Sequence, residues 1–211
     1  RIANTSAVTV AAGATFDLNN QTETIGGIAG AGNIMVGTGQ LIAGGNNAST
    51  TYSGTMTGTG SFTKAGTGTT TIASNLGFGG DLNLSGGTLQ FDVDNAFAGS
   101  TTISGGTLRL SGSNLTLASL NITGNTTIDF AGTAGMLDVT NLTISAGVTV
   151  TVLNWQNATD FFFAQNWTGA VTDLRGSTPM NQVVFSGFTG NDTKWQSYDN
   201  QITPVPEPST Y

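Results

Sequence analysis

LSGGTLQF, residues 84–91, returns 19 residues later as ISGGTLRL, residues 103–110. Each copy runs from an apolar residue through a Ser-Gly-Gly corner into a segment in which apolar and polar residues alternate. That alternation is the period of a half-buried strand, with Leu89, Phe91 and Val93 directed inward and Gln90, Asp92 and Asp94 outward. The paired glycines Gly86-Gly87 and Gly105-Gly106 suit corners that need positive φ or a close backbone approach. VAAGATFDL (10–18) and ISAGVTVTV (144–152) follow the same rule, so the unit is a repeat.

A second pattern, apolar-x-Gly-x-Gly-x-apolar, occurs as IAGAGNI (28–34) and MTGTGSF (56–62), 28 residues apart, and TKAGTGTTTI (63–72) echoes it. Short strands joined by glycine corners fit either an antiparallel sandwich or a stacked β-solenoid. Repetition decides for the solenoid. Each coil rests on the last, so equivalent positions meet equivalent neighbours, whereas a sandwich gives successive strands different surroundings. Thr and Asn in NLTLASLNITGNTTIDF (114–130) are expected to stack on counterparts one coil away and to satisfy one another. Roughly seven coils, at about 4.8 Å each, make a rod about 35 Å long.

Composition agrees with an all-β chain. Of 211 residues 37% are hydrophobic, enough for a core, yet only 8% are charged and 31 are glycine. The residues that build surface helices are scarce and no i,i+4 charge pattern occurs, so no substantial helix is expected. The net charge is −7, and the basic residues Arg1, Lys64, Arg109, Arg175 and Lys194 are scattered, which argues against nucleic acid as a partner. Histidine and cysteine are absent. That removes the usual zinc ligands, the imidazole base of hydrolytic triads, thiol nucleophiles and disulfides. No apolar run approaches the roughly 20 residues of a membrane-spanning helix. The opening RIANTSAVTV carries neither an initiator methionine nor a leader, and is expected to be a processed or trimmed start.

The composition shifts near residue 153. WQNATDFFFAQNW (155–167) gathers aromatics, and QVVFSGF (182–188) is a denser apolar run than any before it. All three tryptophans, Trp155, Trp167 and Trp195, lie here. The expected organisation is a solenoid over 1–152, an irregular β-rich cap over 153–202 that shields the last coil, and an extended tail over 203–211. The tail, TPVPEPSTY, contains three prolines that remove ladder donors. As a second reading, the three tryptophans form a sugar-binding platform.

Carboxylates are the remaining candidates for acid or base work. Asp92 and Asp94, at i and i+2 on the outer face of a strand, would project side by side about 6–7 Å apart, a separation open to a two-carboxylate hydrolase or half a calcium site. The alternative is a solvated outer wall, since neither a cleft nor aromatic subsites adjoin them. Asp81, Asp129 and Asp138 stand alone, and Asp17 and Glu23 read as charges flanking turns. No catalytic, cofactor or metal residue is assigned. The glycine-rich GGIAGAG (26–32) is not followed by an amphipathic helix, as a nucleotide loop would be.

TYSGTMTGTGSFTKAGTGTTTIASN (51–75), followed by LSGGTLQF and ISGGTLRL, resembles the autotransporter-associated β-strand repeat, most clearly from about 50 to 110. The resemblance implies a right-handed parallel β-helix in a secreted or surface protein of bacteria. The C-terminal part, with Trp155, Phe161–Phe163, VVFSGF, Trp195 and VPEPST, resembles the end of PEP-CTERM proteins. It implies that Pro206, Glu207 and Pro208 are a sorting tripeptide processed by an exosortase-type enzyme in a Gram-negative, exopolysaccharide-producing bacterium. In that family a transmembrane helix and a basic cluster follow the tripeptide. Neither follows here, so the chain is expected to be a released or trimmed product.

Three functions remain in view. The first is a non-enzymatic structural solenoid of the surface, sheath or matrix, sharpened to head-to-tail self-association, because two different open ends make a contact that need not close. The second is a carbohydrate-binding adhesin, with aromatics of the terminal region or Asn/Thr ladders along the shaft contacting glycan, exopolysaccharide being a candidate partner. The third is a β-helical polysaccharide hydrolase or lyase acting through Asp92 and Asp94.

Overall fold

The computed structural model describes residues 2–188 and 193–205. The sorting tripeptide Pro206, Glu207 and Pro208 lies outside the described residues. Described coil by coil, the chain runs through β1 (Ala7–Val10), β2 (Thr15–Asp17) and β3 (Thr22–Ile25), then β4 (Gly27–Gly30), β5 (Asn33–Gly37) and β6 (Gln40–Ala43), then β7 (Thr50–Tyr52), β8 (Met56–Gly58) and β9 (Ser61–Lys64). Later coils carry two strands each: β10 (Thr69–Ile72) and β11 (Asp81–Leu84), β12 (Thr88–Phe91) and β13 (Asn95–Ile103), β14 (Gly106–Leu110) and β15 (Asn114–Ile122), β16 (Thr126–Asp129) and β17 (Met136–Ile144), β18 (Val150–Leu153) and β19 (Phe161–Trp167). A short 3-10 turn, Met180–Gln182, leads into β20 (Val183–Phe185), and β21 (Thr193–Trp195) and β22 (Ile202–Pro204) complete the described elements.

The strands stack in parallel as a β-solenoid. A front sheet of nine strands runs β1-β4-β7-β10-β12-β14-β16-β18-β20, and a back sheet of eight runs from β3 to β19. A side sheet, β2-β5-β8, exists only in the early coils. Further along, its place is taken by the first half of the nine-residue strands β13, β15 and β17. The ladder between β13 and β15 shifts register between Phe97 and Ser100, so the chain bends from side to back without leaving the strand.

Register confirms the repeat that opened the sequence reading. Leu89 pairs with Leu108 and Phe91 with Leu110, each one coil of 19 residues apart. The corner behaves as the paired glycines suggest: Gly106 has φ +89, and a Cβ there would stand 2.6 Å from the Gly87 carbonyl oxygen of the coil before. The 28-residue spacing of IAGAGNI and MTGTGSF is not a coil. Ile34 pairs with Met56, 22 residues on, and Leu41 with Phe62, 21 residues on. The first motif turns the corner from β4 to β5 and the second that from β8 to β9, so the shared grammar marks corners of different faces. Local backbone demands at the two corners are alike, and sequence spacing alone cannot distinguish them.

Inward residues form columns along the axis, as in Ile103, Ile122 and Ile144 of the back sheet. Each fully buried aliphatic or aromatic side chain contributes about 1.5–3 kcal/mol, which must offset the ordering of about 20 residues per coil, so neighbouring coils stabilise one another. Outward residues of the back sheet bond along the axis as expected. Asn121 donates to Ser100 Oγ at 3.1 Å, Asn166 to Asn141 Oδ1 at 3.2 Å, and the hydroxyls of Thr143 and Thr168 lie 3.1 Å apart.

The ladders continue past residue 152. β19 extends the back sheet and β20 the front sheet, the latter after a detour in which Val150 pairs with Val183. Residues 153–185, read as part of the cap, therefore also supply strands to the solenoid. The antiparallel hairpin β21–β22 is what crosses the end. Aromatics are dense here because the last coil packs on the body on one side and on this hairpin on the other.

Candidate functional site

The carboxylates are placed by corners, not by a cleft. Strand β12 ends at Phe91, so the inward–outward alternation stops there and Asp92, Val93 and Asp94 form the turn into β13. Asp92 and Asp94 are exposed, but they do not stand side by side on a strand. Asp92 accepts a bond from Gln90 Nε2 at 2.7 Å. Asp94 reaches the next coil, where its Oδ1 accepts the Asn114 backbone N–H at 2.7 Å. The same role recurs: Asp17 accepts from the Asn19 N–H, Asp81 from Ser100, Asp129 from Ala131 and Asp199 from Gln201. Each satisfies an amide that a turn or bulge leaves outside the ladders. Asp129 also faces Arg109 of the preceding coil at 3.4 Å, a pair in which the Asp129 carboxylate is largely covered and the Arg109 side chain partly open.

Two buried charges escape a sequence reading. In the back-sheet column that includes Ile25, Leu84 and Ile103, the position between Ala43 and Leu84 is Lys64, 1% exposed. Its ammonium donates to the carbonyl oxygens of Ala65 at 2.5 Å, Gly66 at 3.4 Å and Gly86 at 3.2 Å. It thus ties two successive corners, and burial lowers its pKa. Asp160, fully buried, accepts the backbone N–H groups of Gly135 at 3.2 Å and Gln156 at 2.6 Å. Burial raises its pKa, against the opposing pull of those two donors. The only sequence signal for Lys64 was its alignment with Leu84 in neighbouring repeats, a lysine where its counterparts are apolar.

The three tryptophans are buried. Trp167 and Trp195 are brought together, with ring centroids 6.3 Å apart in an edge arrangement. Trp155 packs elsewhere, against Phe130 at 5.2 Å and Phe185 at 4.9 Å. Stacking of a sugar on any of them would require a ring face to open.

The two ends of the solenoid differ. At the C-terminal end, Trp195 Nε1 donates to the Ala164 carbonyl at 2.8 Å, the Ala164 N–H donates to Asn200 O at 3.0 Å, and the Thr193 hydroxyl donates to Val183 O. The hairpin therefore takes up groups that the last coil leaves unpaired. At the other end, β1, β2 and β3 are the terminal strands of their sheets among the described residues. Val8 and Phe16 there are half-buried, whereas their register partners one coil on, Ile28 and Ile34, are 0% exposed. Another coil on this edge would complete both burial and pairing.

The chain matches a family model described as passenger-associated-transport-repeat over residues 62–91 and 92–110. The break between the two matches falls at the corner after Phe91, so the first covers β10 to β12 with nearly all of β9, and the second β13 and β14. No curated protein and no solved structure matches the chain. An autotransporter-associated repeat on a β-solenoid fits a secreted or surface protein of the passenger type. Among the described residues no helix is long and apolar enough to cross a membrane.

Proposed function

We propose that this chain is a non-enzymatic structural solenoid of the surface, sheath or matrix of a Gram-negative bacterium, exported and self-associating head to tail. The observation that carries the reading is the coincidence of the matched passenger-type repeat with consecutive coils of one continuous parallel stack. Its outward carboxylates support the same reading, because Asp81, Asp94 and Asp129 are engaged in holding corners. Immunogold labelling of intact cells of the source bacterium tests it. Gold outside the outer membrane is expected, and label confined to the cell interior would overturn the proposal.

Self-association is supported by the asymmetry of the ends. The half-buried Val8 and Phe16 and the terminal strands β1, β2 and β3 form a surface that a second copy can cover. The capped end of that copy is a different surface, so the contact is heterologous and extends into a chain of subunits. Processing at Pro206, Glu207 and Pro208 by an exosortase-type enzyme belongs to the same proposal.

A further inference from the structure

Where the hairpin returns beside β19, a groove forms that the structural role does not use. The half-buried residues of β19 that face away from the core are Phe161 and Phe163, whose rings stack 5.6 Å apart with 9° between their planes. In register beside them on β17 stand Met136 and Asp138, also half-buried. The far wall is the segment that leads into β22, bridged to Phe163 at Gln201. A depression of about 290 Å³ lies on the Phe161 side, lined also by Asn157, Gln196 and Gln201. A second, of about 330 Å³, lies on the Phe163 side with Asp138, Gln165, Asp199 and Asn200. Tyr198, 77% exposed, is the chain neighbour of Asp199.

The lining selects a ligand class. Two partly open phenyl rings favour a ligand with apolar C–H faces. The surrounding carboxylates and amides need hydrogen-bond partners, and a purely apolar ligand would strip their water without replacing it. Asp138 illustrates the point, since its carboxylate makes no hydrogen bond or ion pair among the described residues. Among the described residues neither Lys nor Arg lines either depression, and two carboxylates line the second, so an anionic polymer is repelled. A pyranose chain without charge meets all three conditions, offering ring faces of C–H groups and hydroxyls that donate to carboxylates. Depressions of this size, on either side of one ring pair, suit successive sugars of one chain.

We propose that this groove binds a neutral polysaccharide, with Phe161 and Phe163 stacking on sugar rings and Asp138 and Asp199 accepting hydroxyl hydrogen bonds. Trp155 borders the Phe161 side of the groove, and the site lies beside the capping hairpin, away from the N-terminal edge.

Affinity electrophoresis of the whole chain in gels containing dextran, mannan, xylan or β-1,3-glucan, with alginate as the anionic comparison, tests it. Retardation by at least one neutral polymer is expected, weakened roughly tenfold or more by Phe163→Ala and by Asp138→Ala, with Thr88→Ala on the front sheet without effect. Asp138 is half-exposed and its loss leaves the core intact, which keeps the test valid if Phe163→Ala misfolds. No retardation by any neutral polymer, retardation by alginate alone, or retardation unchanged in the properly folded variants would overturn the proposal.

Discussion

The Lys64 ammonium lies 3.2 Å from the carbonyl oxygen of Gly86, a residue of the next coil, and donates to it from within an apolar column. A solenoid gains stability mainly where one coil meets the next, and this bond is such a contact made by a charged group.

Lys64→Met removes the donor from three carbonyls and is expected to cost about 1–3 kcal/mol at neutral pH, measured by urea unfolding. Burial depresses the folded-state pKa below the 10.5 of a free lysine. Between the two values the unfolded chain holds a proton that the folded chain has released, so stability rises with pH across that window. The parent protein should therefore gain relative to the Lys64→Met variant as pH climbs toward 10.5. A difference that stays flat or falls would contradict the assignment.

Asp94 and Asp92 separate structural from solvated carboxylates. Asp94→Ala leaves the Asn114 N–H without its partner and is expected to cost about 1–2 kcal/mol, whereas Asp92→Ala stays within about 0.5 kcal/mol. Equal effects in thermal melts would count against the corner role of Asp94.

Gly106 and Gly147 both have positive φ, yet a Cβ at Gly147 meets nothing within 4 Å. Gly147→Ala should cost about 1–2 kcal/mol from backbone conformation alone. Gly106→Ala adds the collision with the Gly87 carbonyl and should cost about 2 kcal/mol more. Similar losses would mean that the corners are not in close contact.

Trp195 pins the hairpin to the last coil. Trp195→Ala is expected to cost about 3–5 kcal/mol and to remove hydrogen-exchange protection from the Ala164 amide first, with the amides of β15 still protected. Simultaneous loss in both places would show that the cap and the shaft unfold as one unit.

The coil was legible in the sequence because Leu89 and Leu108, or Phe91 and Leu110, occupy one environment and so carry one pattern. What escaped depends on partners a coil or more away. Asp94 read as an outward strand residue because nothing local reveals that Asn114 supplies its partner 20 residues on. Lys64 read as one of five scattered basic residues, since lysine is rarely buried and the carbonyls that hold it come from two corners. Burial of the tryptophans was not legible either, because Trp167 is covered by Trp195 of the hairpin and Trp155 packs against Phe130 and Phe185 from other coils. The groove at Phe161 and Phe163 arises from the return of residues 196–204, a tertiary event with no local pattern.

Electron microscopy of the protein isolated from its source, over a concentration series and beside Phe16→Lys, tests the structural account most directly. Phe16 lies at the half-covered N-terminal end, so a lysine there charges the proposed contact while leaving the coils behind it intact. The account predicts unbranched chains of end-to-end rods for the parent protein and separate short rods for the variant. Separate short rods at every concentration of the parent protein would contradict it.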